Sequence, residues 1–144
     1  MNENDLTGEI INKTKHIEYL LNCIVSNYIA TKREGFFSNI ILNSTVISLG
    51  QKIQIIEVIL KLNDIPFNFN DARRLISLRN LFAHESAYAD DPKGITELFI
   101  DSLKNGQYKT KRFEDLHSEF ITLYPIVDDT ITSLNQKLSS MSLK

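Results

Sequence analysis

The 144-residue sequence contains one cysteine, five glycines, three prolines and almost no net charge. Each shortage removes a class of protein. A lone Cys23 permits no intrachain disulfide and no cysteine-rich metal site. It lies among Leu21, Ile24 and Val25, where a buried structural thiol is expected. Little Gly and Pro beside 42% hydrophobic residues describes a compact helical protein rather than a disordered one. A formal net charge of −2 and a pI near 5.9 give no overall attraction for nucleic acid, so any RNA contact has to come from a local patch. No apolar run approaches membrane-spanning length, and the first five residues lack the basic and apolar regions of a secretory signal. The expectation is a cytoplasmic protein with no membrane partner, forming a single helical domain over residues 1–144 with enough chain to bury a core.

What is present is helical periodicity. Over residues 3–32, Ile10, Ile17, Leu20, Leu21, Ile24, Tyr28 and Ile29 recur at helical spacing. Gly8 weakens the first turns, and Lys32, Arg33 and Gly35 suit a C-terminal end. Residues 36–49 are rich in Ile, Val, Phe and Thr, as a strand would be, yet their helical neighbours favour a short helix over 36–43 and a turn at Asn43-Ser44-Thr45. Ser48 can cap a helix through Leu62 with Ile53, Ile56, Ile59 and Leu60 inward; Asn63-Asp64-Ile65-Pro66 ends it. Residues 86–92 read as a loop. Asn105-Gly106 is a strong turn signal, giving either a short β-hairpin (96–103 against 107–111) or a helical turn over 97–104. From 113 to 138, Phe113, Leu116, Phe120, Leu123, Val127, Ile131, Leu134 and Leu138 step by three and four, with Pro125 inside. The fold class expected is all-α: an antiparallel bundle of about five helices, with that one hairpin near 96–111.

The chemistry-bearing residues concentrate in 73–85. Asn70 and Asp71 can cap a helix there; Leu75, Leu78 and Phe82 form its apolar side. Arg73, Ser77, Asn80 and His84 form a narrow polar stripe, while Arg79 projects about 140° from His84 on an ideal helix. A guanidinium on that apolar side must snorkel or find a partner; Glu18 and Glu57 are candidates for a purely structural bridge. Lys104, Lys109, Lys111 and Arg112 form the one basic cluster, able to hold an RNA backbone or to be ordinary solvated surface. His16 and His117 stand far apart, with no partners at metal-ligand spacing, and no close carboxylate pair, nucleophile elbow or phosphate loop occurs. No metal or cofactor is expected, and no basic recognition helix supports a DNA-binding regulator.

The segment Leu78-Arg79-Asn80-Leu81-Phe82-Ala83-His84 resembles the signature of HEPN domains, in which an Arg, often followed by a polar residue, precedes a His by a few positions. Arg79, Asn80 and His84 match it, with four residues between Arg and His. The resemblance implies a helical bundle that dimerises so that two motifs face one cleft. In many members that cleft is a metal-independent ribonuclease, often a toxin or defence protein; others have lost the chemistry. Arg79, His84 and Asn80 are then the catalytic candidates, with Arg73, Ser77, Lys104, Lys109, Lys111 and Arg112 as RNA contacts. The implied partners are a second copy, RNA, and an antitoxin or regulatory protein. An imidazole suits proton transfer near neutral pH, and an arginine suits a phosphorane oxygen pair. The alternative is a catalytically silent interaction module, similar in architecture to the mannitol operon repressor.

Overall fold

The structure is a computed structural model that describes residues 3–29, 34–43, 45–84, 87–89 and 98–141. Over those residues it is a helical bundle with five α-helices and a small antiparallel sheet. Helix α1 spans Glu3–Ile29 and buries Ile10, Ile17, Leu21, Ile24 and Val25, as its spacing requires; residues 30–33 lie outside the described residues. Gly35 does not cap it. It sits inside the short α2 (Glu34–Phe36), which runs into a π-helical turn, Phe37–Ile41. The expected helix over 36–43 is therefore present but wound wider, with Leu42 N–H reaching Phe37 O at 2.9 Å. A Ser26–Ser38 hydroxyl contact of 2.9 Å ties this turn to α1. The Asn43 side chain then accepts from Thr45 N–H and Oγ1 at 3.0 and 2.8 Å, an Asx turn.

Helix α3 (Leu49–Leu62) opens with a capping box. Gln51 N–H donates to Ser48 Oγ at 3.3 Å, and Ser48 N–H donates to Gln51 Oε1 at 2.8 Å. It closes in a Schellman arrangement. Ile65 N–H bonds Leu60 O at 2.9 Å and Asp64 N–H bonds Lys61 O at 3.3 Å, while Asp64 takes φ 54°, the position glycine usually fills. Helix α4 (Asn70–His84) follows. Its entry differs from the expectation: the acceptor is Asn68 Oδ1, which takes Asn70 N–H at 2.8 Å, and Asn70 and Asp71 are themselves the first helical residues.

Strands β1 (Ala87–Ala89), β2 (Leu98–Lys104) and β3 (Gln107–Arg112) form a sheet in the order β1-β2-β3, both pairs antiparallel. Asn105 and Gly106 both have positive φ, 54° and 73°, the combination that a two-residue type I′ hairpin turn needs. The hairpin reading thus holds over 98–112, and the helical reading of 98–104 does not; residues 96–97 lie outside the described residues. The loop expected over 86–92 is corrected at Ala87–Ala89, which pair with Leu98–Ile100. A three-residue Ala-Tyr-Ala run is too short to show a strand pattern in the sequence, and it is the pairing with β2 that identifies it.

Helix α5 (Phe113–Ser139) starts directly after β3 and continues through Pro125, whose ring is exposed. Buried residues of α1, α3, α4 and α5 form one apolar cluster. His16 meets Asp128 at 3.0 Å and His117 meets Glu9 at 3.3 Å, so the contacts climb α1 and α5 together and the two helices run the same way. Lys13 lies over the Tyr124 ring between them, at 4.7 Å. Helix α4 runs opposite to α5: Phe82 packs edge-on to Phe113 at 4.8 Å, while Arg74 meets Glu119 further along. Cys23 is half-buried, not buried as expected; a hydrogen bond to its sulfur raises the Tyr19 hydroxyl above the usual tyrosine range. Among the described residues, no helix is long and apolar enough to cross a membrane.

Candidate functional site

The candidate site is the C-terminal half of α4. Leu75, Leu78 and Phe82 turn into the core, which fixes the rotation of the helix and leaves Asn80 and His84 exposed. His84 is the last residue of the helix. Arg79 is half-buried, as a side chain that starts on the apolar side and bends outward must be. Its Nη1 donates to Asn80 Oδ1 at 3.1 Å. Asn80 thus orients the guanidinium rather than the imidazole. Among the described residues, Arg79 meets no carboxylate, so neither Glu18 nor Glu57 takes it.

Those two carboxylates are held by other cations. Glu57 Oε2 accepts from Arg73 Nη2 at 2.6 Å, so the first member of the polar stripe bonds α3. Glu18 Oε1 accepts from Lys52 Nζ at 2.5 Å, and the Lys52 side chain is 0% exposed. Sequence reasoning missed both Lys52 and Arg74. Arg74 Nε and Nη2 grip Glu119 Oε1 and Oε2 at 2.5 and 2.7 Å, a bidentate fork between α4 and α5. That hydrogen bonding holds the Glu119 carboxyl below the usual glutamate range, against the opposing effect of burial and with help from the charges of Arg74 and Lys111. The Arg73-Arg74 doublet was the only local signal, since Glu119 lies 45 residues away.

Ser77 is half-buried. Of the basic cluster, Lys104 ends β2 opposite Gln107. Lys109 and Lys111 are exposed on β3. Arg112 reaches Glu114 at 3.5 Å. The Phe82–Phe113 contact puts the β3–α5 junction beside the end of α4, so the hairpin and His84 share one end of the bundle. Away from the motif, a cavity of about 340 Å³ lies between the segment before α4 and the C-terminal half of α5, with Ile65, Pro66, Phe67 and Leu134 beside Asp129, Thr130, Ser133 and Lys137. Among the described residues, no group of three or more His, Cys, Asp or Glu side chains could hold a metal ion.

No protein-family profile, no curated protein and no solved structure matches the chain.

Proposed function

We propose that the chain is a metal-independent endoribonuclease of the HEPN type, cutting RNA in a cleft shared by two copies, as a toxin or defence component. The observation that carries this reading is the state of Arg79. It is oriented by Asn80, bonded to no carboxylate among the described residues, and five residues before an exposed His84 on the same helix. A guanidinium in that condition has its charge available to an anion.

In the reaction, the 2′-hydroxyl oxygen attacks the adjacent phosphorus as one His84 imidazole takes its proton. The P–O5′ bond breaks as the protonated His84 of the second copy gives a proton to the departing 5′-oxygen. Arg79 steadies the phosphorane oxygens with two parallel N–H groups. The products are a 2′,3′-cyclic phosphate and a free 5′-hydroxyl. A two-fold dimer supplies the acid and the base from one motif. Expected partners are a second copy, RNA, and an antitoxin or regulatory protein.

The test is incubation of the purified chain with a panel of single-stranded RNAs in a chelator. Cleavage leaving cyclic or opened phosphate ends is expected, and Arg79→Lys loses it because a point charge cannot reproduce the planar grip. Sedimentation at roughly ten times a dimer Kd of about 1 μM should give the dimer. The second reading, a silent helical interaction module, draws on the Arg73–Glu57 pair, which takes one cation of the polar stripe, and on the net charge of −2. A wild type inert toward every RNA would establish that module in place of the enzyme.

A further inference from the structure

Residues 104–112 hold four of the sixteen Lys and Arg of the chain and no acid. In a protein of net charge −2 that is a local concentration of one sign, and the fold places it at a particular end. Helix α4 ends at His84, and β1 begins at Ala87, three residues on. Strand β3 ends at Arg112, and α5 begins at the next residue. The sheet is therefore tethered to the bundle by both outer strands, at the end where α4 finishes and α5 starts. Phe82 and Phe113, 4.8 Å apart and edge to face, hold those two helix ends together. The lysines thus sit on an element attached to the bundle at the end where His84 closes α4.

Two further observations orient them. Lys109 and Lys111 are two residues apart in β3 and exposed, so they share one face of the strand at a spacing of about 7 Å. That is comparable with the separation of successive phosphates along an extended single strand. Lys111 also acts on Glu119, helping to depress its carboxyl, and Glu119 is the residue that Arg74 of α4 grips. The Lys111 end of the row therefore lies on the side of the seam between the motif helix and α5, close enough for its charge to act on Glu119.

We infer that Lys109 and Lys111 form a track for two consecutive phosphates of a single-stranded RNA, flanking the phosphate held at Arg79 and His84. This rests on the ribonuclease reading and specifies its substrate as an extended strand several nucleotides long rather than a dinucleotide or a rigid duplex. The row is sequence-blind, because it touches backbone only.

The test uses the full-length protein and a 2′-O-methyl RNA octamer, which binds but lacks the attacking hydroxyl, with affinity measured across a salt series. Each phosphate contact to a single strand contributes about 0.7 to the slope of log affinity against log salt, so Lys109→Ala/Lys111→Ala should lower that slope by about 1.4. Lys15→Ala/Lys61→Ala removes the same charge from exposed positions on α1 and α3 and should leave the slope at the wild-type value. A lysine-row variant with the wild-type slope, or a control variant with an equal fall, overturns the track. Cleavage of ordinary RNA by the same proteins separates the two ideas. Wild-type cutting with an unchanged slope in the row variant removes the track alone, whereas a wild type that cuts nothing removes the enzyme reading and the track with it.

Discussion

The two halves of α4 carry three arginines and treat them differently. In the N-terminal half, Arg73 ends on Glu57 of α3 and Arg74 on Glu119 of α5, so each guanidinium fastens the helix to a neighbour. In the C-terminal half, among the described residues, Arg79 ends on the neutral Asn80 beside it. A charge matched by a charge is a fastening, and what it needs is already inside the fold. A charge matched by an amide keeps its field, which can act on something from outside. The same division separates Lys52, buried and paired with Glu18, from Lys109 and Lys111 on the exposed strand.

The contrast can be broken most sharply at His84. If the C-terminal half is chemical and not structural, His84→Ala should lower RNA cleavage by about 10²–10⁴-fold, the usual value of positioned proton transfer. Its melting temperature should stay near that of wild type, since an exposed helical position tolerates alanine. A variant that cuts as fast as wild type, or that fails to fold, would place His84 with the fastenings. The measurement has to be made at matched salt, because a loss of phosphate binding alone is partly restored at low ionic strength.

A smaller, opposite effect is expected at the buried fastening. Glu18→Ala leaves the Lys52 ammonium in the core without its counter-charge, and breaking a buried pair costs about 3–5 kcal/mol. Glu18 is 22% exposed, which puts the expected loss at the low end of that range. Lys52→Met should cost far less, because methionine fills similar space without a charge and Glu18 can turn to water. Urea unfolding of the two variants would decide it; equal losses would mean that packing around Lys52, not its charge, is what matters.

The smallest effect belongs to Arg74–Glu119. Arg74 lowers the Glu119 carboxyl in the folded state, so the pair adds stability above the unfolded glutamate value of about 4.3. That contribution is lost as pH falls below this value and through the folded one. Glu119 is 40% exposed and solvent screens it, so Glu119→Gln should cost at most about 1 kcal/mol at pH 7. The gap to wild type should close in acid. A gap independent of pH would show that the fork acts through shape and not charge.

Helix positions were the most legible part of the fold, because a helix end and an amphipathic face are decided by neighbours within a turn or two. The Ser48–Gln51 box and the residues stepping by three and four in α5 behave as local rules require. The Asn105-Gly106 hairpin was legible for the same reason, since both residues tolerate positive φ. Of the candidate site, the identities of Arg79, Asn80 and His84 and their common helix could be read, but not which atoms they would meet.

By itself, the sequence determined that this protein is a helical bundle with a buried apolar seam on each long helix and a basic turn late in the chain. Tertiary structure alone decided where the charges go. Glu18 and Glu57 were reasonable partners for Arg79, yet they belong to Lys52 and Arg73, because an ion pair across helices depends on the rotation and height of both, and no sequence spacing encodes that. It also decided that Ala87–Ala89 is a strand, since its extended backbone pairs with residues 98–100. The placing of His84 and the lysine hairpin at the same end of the bundle follows from Phe82 packing on Phe113, a contact between residues 31 positions apart in the chain. Long-range packing of that kind is decided by the whole core at once, which is why only the folded protein reveals it.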